Sequence, residues 1–342
     1  MLDNNFDEIV NIIEERKNNA YRKINEELIL LYNDIGKYIY DISLKSSYGD
    51  SVVENIAIYM KNNYPTLKGF TKRNLFRMLQ FYKTYKDNEK VTPLVTQLSW
   101  TNNLLILSNC KTEEEREFYL NLSIKENYSK RELDRQLQSS YYQRYMLSEG
   151  KQLPSMIKTI DEDDYPNTRI LDTYTLEFLD MPNNYSEKEL KYGIIKNMKD
   201  FILEIGKDFT FISEEYKVQV GNHDFFIDLL FYNRELSCLV AFELKIGEYK
   251  AEYLSKMDLY LEALDRNVKK KTENPSVGII LCTSKDESVV EYSMSRNMSQ
   301  TLISEYKLKL LDKHLLETKL KETKEILEQI EMEENKLDEG GK

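Results

Sequence analysis

The amino-acid sequence predicts an α/β protein of the two-domain α+β kind: a helical first part, a linker, a mixed sheet with helices packed on it, and a charged helical tail. Three observations predict it. Apolar residues recur at three-four spacing through residues 1–147, the period of a helix with one apolar face. Over 186–310, runs rich in β-branched and aromatic residues alternate with helical stretches, as strands and helices of one sheet do. Between them, 148–185 (SEGKQLPSMIK, the acidic DEDDYP and MPNNYSE) holds three of the 6 prolines, which marks the domain boundary. Residues 311–342 form the tail.

Composition narrows the class. The 342 residues are 41% hydrophobic and 31% charged, which excludes collagenous and wholly disordered chains. No apolar run approaches the roughly 18 residues of a membrane span, and the acidic start MLDNNFDEIVNIIEERKNN lacks the features of a secretory signal. Cys110, Cys238 and Cys282 lie far apart, against both a disulfide framework and a CxxC zinc site. A reducing cytoplasm is the expected compartment. The net charge of −11 belongs to the second part: residues 1–150 hold 21 basic and 21 acidic side chains, and 151–342 hold 27 and 38. Between Lys61 and Lys90, eight basic residues face only Asp87 and Glu89, a local balance of +6. Such a patch can meet phosphate because salt screens distant charge. It reads equally as a solvated lysine-rich helix face.

In the first part, Ile9, Ile12 and Ile13, then Ile24, Leu28, Leu31, Ile35 and Ile39, make one helix face apolar. A helix at about 51–63 stops before Pro65. Thr71 is the expected N-cap of the next, with Leu75, Met78, Leu79 and Tyr82 on its inner side. Short helix, turn and basic helix is the order of a helix-turn-helix reader, with Lys72, Arg73 and Arg77 at the start of the second helix; many small helical domains share that spacing. A helical pair over 112–145 breaks near Asn127-Tyr128-Ser129. Trp100 and the tyrosines offer stacking faces for bases, or fillers for helix interfaces.

In the second part, Glu187 to Ile205 reads as a helix closed by Gly206. Phe209–Val220 and Phe225–Tyr232 read as strands joined by the hairpin signal Gly221-Asn222-His223-Asp224. Leu239–Lys245 is a nearly continuous apolar strand, Glu252–Leu264 a helix, Val277–Cys282 a buried strand, Glu287–Met294 a helix and Thr301–Leu308 a last strand. In the tail, Leu316, Leu320, Leu327 and Ile330 suit a short coiled-coil seam, interrupted at Thr323.

Charged residues inside apolar strands carry the chemistry. Asp228 interrupts Phe226-Ile227-Asp228-Leu229-Leu230-Phe231, and the next strand ends Phe242-Glu243-Leu244-Lys245. Strand side chains alternate, so Glu243 and Lys245 share a face. Burying such charges is tolerable if they pair or hold a metal. Two carboxylates, with the carbonyl of Leu244, make an oxygen-rich site suited to Mg²⁺. Lys245 beside it could orient or deprotonate an attacking water and balance a phosphate, as in metal-assisted phosphodiester hydrolysis. A buried Asp–Lys or Glu–Lys bridge that only stabilises the sheet explains the same letters. His223 and His314 are too distant to act together, and no GxGxxG, GxxxxGK[ST] or GxSxG occurs.

The spacing D-(x14)-E-x-K on successive strands resembles the PD-(D/E)XK nuclease superfamily. Longer stretches resemble one family within it, the YhcG-like nucleases. In the second part these are DFFIDLLFYNRELSCLVAFELKIGEYKAEYLSKMDLYLEALD and ENPSVGIILCTSKDESVVEY. In the first they are YGD, GFTKRNLFRMLQFY, LSW, REFY and YSKRELDRQL. The resemblance implies a restriction-endonuclease-like αβββαβ domain over 186–310 and a winged-helix-like nucleic-acid-binding domain over 1–147. It implies Asp228 and Glu243 as metal ligands, Lys245 as the catalytic lysine, and a helix glutamate, Glu189 or its neighbour Glu187, to complete the site. Lys256 stands where many members carry Gln in Gln-x-x-x-Tyr, and either touches a phosphate or lies on the helix surface. Glu214-Glu215 stand where the family usually has a non-acidic pair, a departure that bears on any phosphate contact made at that point. Mg²⁺ or Mn²⁺ as cofactor, DNA rather than RNA as partner, and a homodimer follow as expectations. A module of the same fold that binds without cleaving, and a coiled-coil adaptor resting on the tail, are the alternatives.

Overall fold

The computed structural model describes residues 7–45, 49–88, 91–148, 171–295, 297, 300–323 and 325. Residues 149–170 of the expected linker, and Leu327 and Ile330 of the expected seam, lie outside them. The chain divides into two units, 1–134 and 135–342.

The first unit is built from α1 (Asp7–Lys45), α2 (Gly49–Asn63), α3 (Lys72–Tyr85), α4 (Thr92–Val95), α5 (Trp100–Asn109), α6 (Glu113–Lys125) and the start of α7 (Lys130–Gln138). Thr71 caps α3 as expected, its side chain accepting from the Asn74 N–H. Leu75, Met78 and Leu79 then pack with Ile39 of α1 and Val53 of α2. The α1–α3 approach depends on Gly36, where a Cβ would lie 2.2 Å from the Met78 carbonyl oxygen. Trp100 packs against Tyr32 and Phe81, with ring centroids 4.7 and 5.2 Å away. Among the described residues no strand precedes Thr173, so the wing of the expected winged-helix domain has no counterpart there. The helix-turn-helix order of α2 and α3 does.

The second unit adds α8 (Tyr141–Leu147), β1 (Thr173–Thr175), a 3-10 turn at Glu177–Leu179, α9 (Glu187–Lys196), α10 (Met198–Ile205), β2 (Phe209–Val220), β3 (His223–Asn233), β4 (Cys238–Leu244), α11 (Glu252–Asn267), β5 (Val277–Cys282), α12 (Glu287–Met294) and β6 (Thr301–Lys307). One mixed sheet runs β1-β6-β5-β4-β3-β2. The β2–β3–β4 pairs are antiparallel and the rest parallel. β4 and β5 are buried along their whole length, as their continuous apolar text requires in the middle of a covered sheet. Phe201 of α10 and Phe209 of β2 meet Phe231 and Phe242 on one face. On the other, α11 lays Met257, Tyr260 and Leu264 over Leu230, Ala241 and Ile280. Residues 313–323 are helical, with Leu316 buried.

Two features depart from the sequence expectation. β1 is an extra strand inside the expected linker, paired parallel to β6. The single helix 187–205 is two, broken at Asn197. Arg135 and Arg144, flanking the α7–α8 turn, hold buried Glu204 of α10 at 2.8 and 2.5 Å.

Candidate active site

The β3–β4 register pairs Leu229 with Phe242, which brings the preceding Asp228 beside Glu243. The Leu244 N–H donates to Asp228 Oδ2 at 3.0 Å, so the backbone of β4 orients the Asp228 carboxylate. Glu243 is 1% exposed. Its Oε1 lies 2.9 Å from Lys245 Nζ and 2.6 Å from Lys256 Nζ, one turn into α11. Its Oε2, equally buried, has no hydrogen-bond partner among the described residues. Lys245 Nζ also donates to the Leu244 carbonyl and to Glu187 Oε2, both at 3.1 Å. Tyr260, under the Lys256 ammonium, donates to the Phe226 carbonyl at 2.6 Å.

Lys191 escaped the sequence reading of this cluster, and Glu215 enters it as an ion-pair partner rather than only as a departure from the family pattern. Lys191 Nζ donates to Glu215 Oε1 at 2.8 Å and to Asp228 Oδ1 at 3.3 Å. Glu215 reaches it from β2, where a register shift between Phe211 and Ser213 and a φ of +46° interrupt the strand. The available signal was the four-residue spacing of Glu187 and Lys191, which puts both on one helix face. Glu189, expected in the site, instead closes a capping box with Ser186: it accepts from the Ser186 N–H and hydroxyl, both at 2.8 Å. Glu187 is the helix acid that reaches Lys245.

Four carboxylates (Glu187, Glu215, Asp228, Glu243) thus interleave with three ammonium groups (Lys191, Lys245, Lys256). Burial works against each lysine's charge, but the adjoining carboxylates outweigh it and raise all three above the ordinary lysine range. The Lys191 hydrogen bond holds Glu215 below the usual carboxylate range.

Among the described residues no three His, Cys, Asp or Glu side chains form a ready metal cluster. The hard donors here are two carboxylates and the Leu244 carbonyl. That set suits a cation that keeps several waters, and the bare Oε2 of Glu243 is the lone pair such an ion would satisfy. The residues therefore fit a divalent metal held by Asp228, Glu243 and the Leu244 oxygen.

In the first unit, Lys72 at the start of α3 is bound to Glu54 of α2 at 2.9 Å, with Arg73 exposed and Arg77 half-buried beyond it. Lys61, Lys68 and Lys72 line a cavity of about 480 Å³ together with Ile58, Leu67 and Phe70.

An antiparallel-to-parallel mixed sheet with Asp on β3 and E-x-K closing β4 defines a PD-(D/E)XK-type domain. Residues 167–321 match the family described as the YhcG PDDEXK nuclease domain, and residues 8–144 match the DUF1016 N-terminal domain. "Putative nuclease YhcG" of Escherichia coli (strain K12) is 26% identical over 356 residues, 94% of each chain. The two matched stretches fall in the two parts of the chain whose text resembles the YhcG-like family. A repair endonuclease from Pyrococcus abyssi is 18% identical over 38% of this chain and 50% of its own, with a TM-score of 0.27. EndoMS in a dsDNA complex is 18% identical over 39% and 48%, with a TM-score of 0.26. This chain spans about half the length of those two solved chains. No helix among the described residues is long and apolar enough to cross a membrane.

Proposed function

We propose that this chain is a Mg²⁺-dependent endodeoxyribonuclease, a hydrolase of phosphodiester bonds in which Mn²⁺ can replace Mg²⁺. The observation that carries the reading is the convergence of Asp228, Glu243 and Lys245 on two paired strands, with one buried carboxylate oxygen of Glu243 unsatisfied. A metal there would supply Lewis-acid activation of water and charge neutralisation. Lys245, protonated and hydrogen-bonded to Glu243, orients the attacking water and offsets charge developing on the phosphate. Lys256 and Lys191 are placed to take up phosphate oxygens when they leave their carboxylates. Glu187 positions Lys245. Lys72, Arg73 and Arg77 of α3 hold the DNA backbone in this reading, sequence-independently. Two catalytic units are needed to cut both strands at once, which favours a homodimer. Three buried cysteines, far apart in the sequence, suit a reducing cytoplasm.

Supercoiled, linear, branched and single-stranded DNA incubated with Mn²⁺ tests this, with Glu243→Ala and Lys245→Ala alongside. Cutting by wild type alone supports it. The lysines seated on Asp228 and Glu243 also favour a second reading, a DNA-binding module with its catalytic acids plugged. That reading wins if nothing is cut while a gel shift persists and disappears when Lys72, Arg73 and Arg77 are neutralised.

A further inference from the structure

The hairpin of β2 and β3 carries two rungs on the side where α9 meets the site. Tyr216 and Val218 of β2, with Phe225 and Ile227 of β3, turn toward α11 and join its core. Strand side chains alternate, so Lys217 and Phe226 turn the other way. That other side is the one from which Lys191 of α9 bridges Glu215 and Asp228. Glu215 and Asp228, between the pairs Glu214–Leu229 and Tyr216–Ile227, are the inner rung. Lys217 and Phe226, paired directly across the strands, are the outer one, about 6.8 Å further along.

The outer rung suits a ligand that is flat at one end and anionic at the other. Phe226 is 51% exposed, whereas the rest of β3 from Phe225 to Asn233 is buried or half-buried. Its backbone is fixed. β3 pairs with β4 only from Leu229 onward, and the buried Tyr260 hydroxyl takes the Phe226 carbonyl instead, at 2.6 Å. Tyr260 also underlies Lys256, which holds Glu243, so the ring is tied to the site. Lys217 Nζ lies 2.7 Å from Asp224, both side chains about half exposed, a surface pair that water and salt loosen. A fixed aromatic face beside a releasable ammonium matches one nucleotide: the base stacks and the phosphate takes the cation. In an intact duplex each base is covered by its neighbours and must leave the stack to be reached. We infer that Lys217 and Phe226 form a subsite for an unpaired nucleotide next to the scissile phosphate, so that the preferred substrate carries single-stranded DNA at the cut. The subsite rests on the nuclease reading and deepens it by naming the form of DNA.

Equilibrium binding by the full chain, with Ca²⁺ in place of Mg²⁺, tests this on a single-stranded oligonucleotide, its duplex and an abasic strand of equal length. Phe226→Ala should weaken single-strand binding about 5–150-fold, the worth of one stacked base, and leave duplex binding unchanged. Phe226→Tyr should keep the wild-type affinity. The abasic strand retains its phosphates and should bind wild type and Phe226→Ala alike. Lys217→Ala should flatten the salt dependence of single-strand binding by about 0.7 in log–log slope. Single-strand affinity unchanged in Phe226→Ala, a loss shared equally by duplex and abasic strand, or an unchanged salt slope in Lys217→Ala overturns the subsite and leaves the nuclease reading standing. A wild type that binds none of the three overturns both.

Discussion

Glu204 and Glu243 are each 1% exposed and each lies between two cations, yet their surroundings differ atom by atom. Glu204 Oε1 accepts from Arg144 Nη1 and the Thr175 N–H, and its Oε2 from Arg135 Nη1 and Arg144 Nη2. Every oxygen is used. Glu243 draws both of its lysines to Oε1 and leaves Oε2 bare. The cations differ too. The Arg144 side chain is 1% exposed and its planar fork is fixed, whereas Lys256 is 46% exposed on a flexible stem. The two arginines use both oxygens of Glu204 and tie α7, α8, β1 and α10 together, whereas Glu243 keeps one buried oxygen without a partner, the place where an ion would enter.

The largest effect is expected where both carboxylate oxygens are used. Glu204→Gln strands the buried Arg144, and breaking such a pair costs about 3–5 kcal/mol, to be read by chemical denaturation. Burial pushes the Glu204 carboxyl up, but Arg144 and Arg135 outweigh it and hold it below the ordinary carboxylate range. Its contribution is thus present above the unfolded value of about 4.3 and is lost as the pH falls through the lower folded one. The wild-type stability curve should drop over that acid range, and that of Glu204→Gln should be flatter. A variant as stable as wild type at neutral pH would break the comparison.

Glu243→Gln should do the reverse. Cleavage is expected to fall by about 10²–10³-fold, with a smaller loss of stability than in Glu204→Gln because Lys256 can swing into water. Equal stability losses in the two variants, with activity falling only as the folded fraction does, would make Glu243 a second structural bridge.

A divalent ion separates the two acids more gently. Mg²⁺ at about 100 times its Kd should stabilise the fold by ~2.7 kcal/mol, and Asp228→Asn should remove that gain while Glu204→Gln keeps it. A gain that survives Asp228→Asn places the ion elsewhere.

The same contrast explains what could be read in the sequence. Asp228, Glu243 and Lys245 are legible because each breaks an apolar run whose period of two fixes its face. The order of β2 through β6 is legible for the same reason. Glu204 closes the helix text ILEIG, where an acid looks like any other on a solvated face, and its arginines lie 60 and 69 residues away. Only the fold brings them together. β1 is three residues of TYT, too short to carry a period. The break at Asn197 has no Pro to announce it, and Glu215 enters the site through a φ of +46° that nothing in Glu214-Glu215 signals.

The smallest effect concerns two acids that the sequence hardly separates. Glu187 and Glu189 open the same helix two residues apart, and helical geometry turns them some 200° from each other. Glu189 is spent on Ser186, whose backbone N–H holds its carboxyl below the usual range, and Glu187 on Lys245. Glu189→Ala should therefore lower the melting temperature slightly and leave cleavage per folded molecule unchanged. Glu187→Ala should leave melting nearly unchanged and slow cleavage, because Lys245 loses one of the acceptors that fix its ammonium. Glu187→Gln should restore part of the rate, since the amide oxygen can still accept from Nζ. If Glu189→Ala is the variant that slows cleavage, the capping box opens during catalysis and the second acid of the helix belongs to the site.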